Sequence, residues 1–308
     1  MRALVTGGAG FIGSHLVDAL RAEGADVLVV DDLSAGRAER LAHGARLARV
    51  DITDRAAVDR AFDEHAPERV FHLAAQASVT ASVNDPQRDA TVNVLGTLNV
   101  LEAARRHGAP LVFTSTGGAL YGDGVPMPTP EETPTLPLSP YGASKLAGEA
   151  YVRSWTAAHG LANAVMRLGN VYGPRQTPHG EAGVVAIFSH RLHTGEECTL
   201  YGHGKPTRDY VHVLDVVAAL RAASGHAGTF NVGTGVETDV AELYAALARA
   251  AGVERAPVLA ELRAGELQRS CLDAARARSE LGWKPGIAIA DGLAQTYRAI
   301  TEAPAAAA

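Results

Sequence analysis

Leu4-Val5-Thr6-Gly7-Gly8-Ala9-Gly10-Phe11-Ile12-Gly13 is the stretch that decides the fold. A short apolar run enters a glycine-rich turn, and a helical pattern follows over 11–23. Gly7, Gly10 and Gly13 stand three apart. Glycine permits the tight turn, lets the backbone come close to a pyrophosphate and lets the helix sit against the strand. A helix N-terminus then offers free N–H groups and a positive dipole end to an anion. A simple tight turn between strand and helix is the competing reading of a glycine triplet. Here the strand before it and the helix after it supply the setting that the dinucleotide motif requires. Gly7, Gly10, Phe11, Ile12 and Gly13 are therefore candidates for a phosphate cradle.

About twenty residues on, a second apolar run ends at Asp31-Asp32. A carboxylate there accepts hydrogen bonds from ribose hydroxyls and repels a 2′-phosphate, which favours NAD over NADP. Asp31 is the better candidate for the ribose, and simple solvation competes for Asp32. Asp51-Ile52 follow a third run and are placed to flank an adenine ring, with helix capping the competing role for Asp51.

Working outward, apolar runs at 3–5, 27–30, 46–50, 70–73, 111–113 and 164–168 alternate with amphipathic stretches at 11–23, 55–64, 91–107 and 141–159. Strand–helix alternation with continuously apolar strands predicts an α/β fold: a Rossmann-type, doubly wound parallel sheet covered on both faces. After about residue 169 glycine and proline punctuate the chain, and helices resume at 215–223, 239–251 and 289–300. The expected division is a dinucleotide-binding domain over 1–168 and a smaller C-terminal lobe over 169–308. A segment near 208–232 returns to the first domain. Two extra strands, at 208–213 and 229–232, are expected in the smaller lobe.

Composition excludes several classes. The 308 residues are 47% apolar and 20% charged, as in a soluble globular protein. A net charge of −6 without a basic cluster argues against nucleic acid. No apolar stretch reaches the ~18 residues of a membrane span. Cys198 and Cys271 lack ligand-type spacing and fit a reducing cytoplasm. His190 and His193 have no carboxylate or thiol to complete a metal motif, so no metal is expected.

Tyr141-Gly142-Ala143-Ser144-Lys145 places a phenol and an ammonium at i and i+4, on one helix face, with Pro140 suited to the helix start. A nearby positive charge favours the phenolate and makes tyrosine a usable base. Alone, the pair fits an ordinary exposed helix face equally well. The run Leu111-Val112-Phe113-Thr114-Ser115-Thr116-Gly117-Gly118 adds a buried strand that ends in three hydroxyls. Carboxyl ends of parallel strands face the ligand crevice, so one hydroxyl there is placed to relay a proton to Tyr141. The others are free to bond local backbone.

Together these segments resemble the extended short-chain dehydrogenases/reductases, specifically the NAD-dependent nucleotide-sugar epimerase/dehydratase family. The likeness also runs through His72-Leu73-Ala74-Ala75-Gln76, Asn93-Val94-Leu95-Gly96-Thr97, Gly169-Asn170-Val171-Tyr172-Gly173-Pro174-Arg175, Arg208-Asp209-Tyr210-Val211-His212-Val213 and Leu281-Gly282-Trp283-Lys284-Pro285. It implies Tyr141 as catalytic base, with Lys145 tuning it and bonding the nicotinamide ribose. Thr116 takes the hydroxyl position, with Ser115 as its helper. Leu73, Ala74, Ala75 and Gln76 would line the cofactor, Asn170 the sugar diphosphate and Arg208 a nucleotide phosphate. Arg263 and Glu266 would hold the pyrophosphate and uridine ribose. The family also implies a homodimer through the helices at 91–107 and 141–159.

The implied reaction is epimerisation at C4 of a UDP-linked sugar by transient oxidation with bound NAD, without net redox change. Dehydratase and decarboxylase relatives carry carboxylates after the strand hydroxyl, whereas 114–121 is uncharged here. For the sugar, Gly117-Gly118 and a cation such as Arg175 or Arg191 favour UDP-glucuronate, with Ser115 and Thr116 near its carboxylate. UDP-glucose is the alternative. A net reductase or dehydrogenase, and a non-catalytic dinucleotide sensor, are the readings from other classes.

Overall fold

The computed structural model describes residues 1–42, 44–178, 183–263 and 267–302. Its first half alternates as the apolar runs predict: β1 (Arg2–Thr6), α1 (Phe11–Ala22), β2 (Asp26–Asp31), β3 (Arg46–Arg49), α2 (Arg55–His65) and β4 (Arg69–His72). Next come the short helices α3 (Val79–Asn84) and α4 (Pro86–Ala90), a π-helical segment (Thr91–Gly96) and α5 (Thr97–Arg106). β5 (Leu111–Thr116), α6 (Pro140–His159) and β6 (Ala164–Leu168) complete this half. The helix expected over 91–107 is thus π-helical in its first part.

The second half holds β7 (Asn170–Tyr172), α7 (Val184–Thr194), β8 (Thr199–Tyr201), β9 (Thr207–Arg208), β10 (Tyr210–His212) and α8 (Val213–Ala222). β11 (Gly228–Val232), β12 (Thr238–Asp239), α9 (Val240–Ala251), β13 (Val258–Ala260), α10 (Ala275–Leu281) and α11 (Ile289–Thr301) follow.

Seven parallel strands form the main sheet in the order β11-β6-β5-β4-β1-β2-β3. The order reverses between β1 and β4, so the crevice at their carboxyl ends is the ligand position of a doubly wound sheet. One expectation is corrected here. β11, within the 208–232 segment expected to return to the first domain, pairs with β6 and closes the main sheet, so it is not an extra strand of a smaller lobe. Its Phe230 and Val232 are fully buried and join the core beneath α1 and α8. The expected strand over 208–213 splits into β9 and β10, which pair with β12 and β7.

Each face of the sheet has its own core. Leu16, Val17 and Leu20 of α1 pack with Val216, Val217 and Leu220 of α8 on one side. On the other, Val58 and Phe62 of α2, Val100 and Leu101 of α5, and Val152 of α6 cover Leu4, Val70, Phe113 and Val165. A third core joins Val185 and Phe188 of α7 to Leu243 and Leu247 of α9 and Leu293 of α11.

Candidate active site

The glycine turn leads directly into α1. Gly10 occupies the N-cap without any side-chain cap, so the first N–H groups of α1 have no partner from the cap residue. Close approach fixes two of the glycines. A Cβ on Gly7, whose φ is +68°, would lie 2.6 Å from Ala74 N; one on Gly13 would lie 2.2 Å from Gly7 O. Leu73 N donates to Thr6 O at 3.1 Å and Ala74 N to Thr6 Oγ1 at 3.2 Å, which ties the 73–76 segment to the turn across the switch point. The uncapped helix end beside a carboxylate at the end of β2 fits a dinucleotide.

Asp31 is buried and accepts from Ala9 N and Leu33 N, both at 2.9 Å. Burial pushes its pKa up, against those two bonds. Asp32 is exposed, and its Oδ1 closes a turn by accepting from Ser34 N at 2.9 Å and Ser34 Oγ at 2.6 Å. Asp51 likewise accepts from Thr53, whereas the cap of α2 is Asp54, bonded to Ala57 N at 3.0 Å. The Ile52 side chain packs in the core against Gly96, and its carbonyl accepts from Asn99 Nδ2 at 2.9 Å.

α6 begins cleanly because Ser139 caps it by accepting from Gly142 N at 3.1 Å and Pro140 occupies the first turn. Tyr141, Lys145 and Glu149 then fall in one row, four residues apart. The Tyr141 phenol faces the Thr116 hydroxyl at the end of β5, which favours its ionised form. Lys145 is buried, and its Nζ donates to Thr114 O at 2.8 Å and lies 4.7 Å from the Phe113 ring centroid. Burial pushes Lys145 down to about 8, opposed by the charges of Asp89 and Glu149. Tyr141 departs from expectation: burial, then the Asp89 charge, push it up to about 12, with only the Thr116 hydroxyl acting the other way. The chain alone therefore does not produce the lowered phenol that the Tyr-x-x-x-Lys spacing suggests.

A polar network, unforeseen from sequence, packs behind this pair. Asp89 Oδ1 accepts from Gln76 Nε2 at 2.8 Å and Asn93 Nδ2 at 3.0 Å. Asn93 Nδ2 also reaches Ser144 Oγ at 3.1 Å, and its Oδ1 accepts from Gln76 N at 2.9 Å. The Gln76 amide is thus engaged in ordering its own loop, including bonds to Ser78, rather than aimed at a ligand. His72 sits below, with Nδ1 2.7 Å from Thr6 Oγ1 and Nε2 2.9 Å from Thr97 Oγ1. Because Thr97 donates to Asn93 O, it accepts from His72, which assigns the ring proton to Nε2. Burial, with the Lys145 charge adding to it, pushes His72 down to about 3.

Ser115 requires correction. Successive strand residues face opposite sides, and Ser115 points with Phe113 under α6 rather than into the crevice with Thr116. It is buried and donates to Glu149 Oε1 at 2.6 Å. Glu149 is fully buried and bound by Arg167, with Nη2 to Oε2 at 2.7 Å and Nε to Oε1 at 3.0 Å. Arg167 Nη1 also donates to Tyr121 Oη at 2.8 Å, and Tyr121 to Asn231 Oδ1 of β11 at 2.9 Å. The expected helper hydroxyl is part of this internal network.

Two of the substrate candidates lie on adjoining segments, since Asn170 N donates to Asp209 O, next to Arg208, at 2.8 Å. Asn170 starts β7, and its Oδ1 lies 3.5 Å from where a Cβ of Gly118 would stand, which places it beside the end of β5. Arg208 lies on β9 and donates to Thr207 O. The Arg263 guanidinium stacks 3.8 Å from the Tyr201 ring centroid, and Glu266 lies outside the described residues. Arg175, expected near a sugar carboxylate, is instead ion-paired with Asp18 of α1 at 2.6 Å. Gly117 is glycine because Leu272 covers it: a Cβ would sit 2.4 Å from Leu272 Cδ1. Among the described residues no helix is long and apolar enough to cross a membrane.

Comparison with known proteins matches residues 3–233 to the NAD dependent epimerase/dehydratase family. The UDP-glucose 4-epimerase of Mycolicibacterium smegmatis is 51% identical over 96% of this chain and 97% of its own length. A crystal structure of UDP-glucose 4-epimerase from Thermotoga maritima with UDP-glucose superposes with a TM-score of 0.95 at 45% identity, covering 98% of this chain and 99% of that one. That of the Thermus thermophilus enzyme in complex with NAD gives 0.92 at 46% identity, covering 99% and 100%.

Proposed function

Because the chain belongs to the NAD dependent epimerase/dehydratase family, we propose that it interconverts UDP-glucose and UDP-galactose by epimerisation at C4. It is an NAD-dependent enzyme of the nucleotide-sugar epimerases. The observation that carries the reading is the juxtaposition of the Tyr141 phenol and the Thr116 hydroxyl at the carboxyl end of β5, with the buried Lys145 ammonium anchored to Thr114 O of the same strand. The crevice at the glycine turn and Asp31 would hold NAD, which would supply hydride exchange with C4. Thr116 receives the proton of the C4 hydroxyl and passes it to the phenol oxygen of Tyr141, and the same relay returns it. Lys145 holds positive charge below the phenol, and its burial excludes water from that side.

The uncharged run 114–121 provides no second acid for elimination of water, which supports epimerisation over dehydration. For the sugar, the pairing of Arg175 with Asp18 and the packing of Gly117 under Leu272 remove two arguments for a C6 carboxylate. Arg191 is bonded to Glu197 O at 3.1 Å. The neutral hydroxymethyl of glucose suits this surface better than the uronate. Asn170, Arg208 and the 263–266 segment are assigned to the nucleotide, in the lobe formed by 169–308 apart from α8 and β11. Leu95 and Tyr151, exposed at 55% and 38%, lie on the paired α5–α6 side and suit a homodimer there.

The test is a product assay. Pure protein with catalytic NAD is incubated with UDP-glucose and, separately, UDP-glucuronate, and the epimers are resolved by chromatography. The expected result is UDP-galactose without accumulated NADH. Faster turnover of UDP-glucuronate would overturn the sugar assignment, and accumulating NADH would overturn the epimerase reading.

A further inference from the structure

Asp89 is 1% exposed and sits one helix away from the Tyr141–Lys145 pair. Its Oδ1 is held by two amide donors, from Gln76 and Asn93. Its Oδ2 is buried and has no hydrogen-bond partner among the described residues. An unpartnered carboxylate oxygen in the interior is costly, and such atoms persist where their charge has a use. The anchoring geometry shows where that charge acts. Asn93 Nδ2 bonds both Asp89 and the hydroxyl of Ser144, which lies between Tyr141 and Lys145 on α6. Ser144 in turn donates to Tyr141 O at 3.0 Å. The carboxylate is thereby fixed against the N-terminal turn of α6 by groups that leave one oxygen free.

We propose that Asp89 is a positioning residue for the proton relay: its free carboxylate oxygen is the built-in counter-charge of the buried Tyr141–Lys145 pair. This rests on the Tyr141 relay of the proposed function. Its role follows from the groups facing the pair. Lys145 feels the charges of Asp89 on α4 and Glu149 on its own helix, His72 of β4 feels Lys145, and Tyr141 feels Asp89 and the Thr116 hydroxyl. His72 is buried and neutral, and Glu149 is already bound by Arg167. Asp89 is the carboxylate near Lys145 that lacks a cation of its own among the described residues. Its charge favours the protonated form of the desolvated ammonium and makes the Tyr141 phenolate, once formed, a stronger proton acceptor. Asp89 acts upward at both residues: it adds to burial at Tyr141 and opposes burial at Lys145, where burial prevails.

Asp89→Asn tests it, because the amide oxygen preserves the acceptor for Gln76 and Asn93 while removing the charge. The pH dependence of kcat/KM with UDP-glucose is measured for both proteins. The expected result is that the acid and alkaline limbs both move to lower pH by about one unit. A role confined to loop support would lower the rate at every pH and leave both limbs in place, which would overturn the proposal. Tyrosinate absorbance of the NAD-loaded protein, with Tyr141→Phe subtracted, provides a reading that needs no turnover. It is expected to show the Tyr141 midpoint falling in Asp89→Asn by a similar amount, and an unmoved midpoint overturns the proposal. If UDP-glucose is not a substrate, this titration still decides the role of Asp89. Should Asp89→Asn fail to fold, Asp89→Ser is carried through the same measurements.

Discussion

Glu149→Ala would expose how much of the fold rests on one buried ion pair. Glu149 and Arg167 are 0% and 4% exposed, so the substitution leaves a guanidinium in the interior without its carboxylate. Breaking a buried pair from one side costs roughly 3–5 kcal/mol. The Ser115 hydroxyl loses its acceptor as well, a further ~1–3 kcal/mol, though Arg167 keeps its bonds to Tyr121 and Glu131 O and the two costs overlap. A net loss of about 4 kcal/mol is expected, a large part of the ~5–15 kcal/mol that holds a typical protein together. With a urea m-value of about 3 kcal/mol/M, the unfolding midpoint falls by roughly 1 M. Glu149→Leu combined with Arg167→Met removes both charges and is expected to recover most of the loss. Chemical denaturation of the two singles and the double gives a coupling of at least about 2 kcal/mol. A single-variant cost under about 1 kcal/mol, or strictly additive singles, would refute the argument that the pair is desolvated and mutually dependent.

The other predictions concern the crevice and the core. Tyr141→Phe and Thr116→Val each remove one member of the relay and are expected to lower kcat by about 10²–10⁴, with NAD retained as judged by bound-nucleotide absorbance. Gly117→Ala meets Leu272 Cδ1 at 2.4 Å and is expected to cost about 1–3 kcal/mol in thermal or urea unfolding, with Leu272→Ala reducing that penalty in the double variant. His72 is held neutral by burial with its pKa near 3, so the unfolded chain binds the extra proton between about pH 3 and pH 6.5. Its contribution is present above the unfolded value and is lost as pH falls through that window, by about 2 kcal/mol between pH 6.5 and 5. Urea unfolding of His72→Asn at the two pH values is expected to lack that part of the slope.

The sequence carried the sheet well wherever the information was local. The glycine turn, the apolar runs of β1 to β6 and the Tyr141–Lys145 spacing all express short-range rules, and they led to the right fold class and family. Features set by distant partners were hidden. Arg175 and Asp18 are 157 residues apart in the chain, and nothing near either one announces their ion pair. β11 looks like any other apolar run; its place beside β6 depends on how α8 docks against α1. The Gly117-Gly118 pair suggested a substrate contact, whereas Leu272 explains Gly117 by packing. Two further points were readable in principle. The twofold alternation of a strand separates Ser115 from Thr116, and the helical row that pairs Tyr141 with Lys145 continues to Glu149. Asp89 had no local signal, because its significance lies in a buried oxygen without a hydrogen-bond partner among the described residues.

The late return of β11 also bears on how the chain is made. β6 ends at Leu168 and its neighbour begins only at Gly228, sixty residues later. At translation rates of roughly 5–20 residues per second, the nascent chain spends about 3–12 s with β6 as an open edge. All five residues of β6 are buried in the finished protein and all but Arg167 are apolar, so that edge is largely apolar as well as unpaired. A chain halted or cleaved before residue 228 would keep that edge exposed, available to pair with another copy. For this fold, the sheet that starts first is sealed by a strand from the last third of the chain, and synthesis must run that far before the edge is protected.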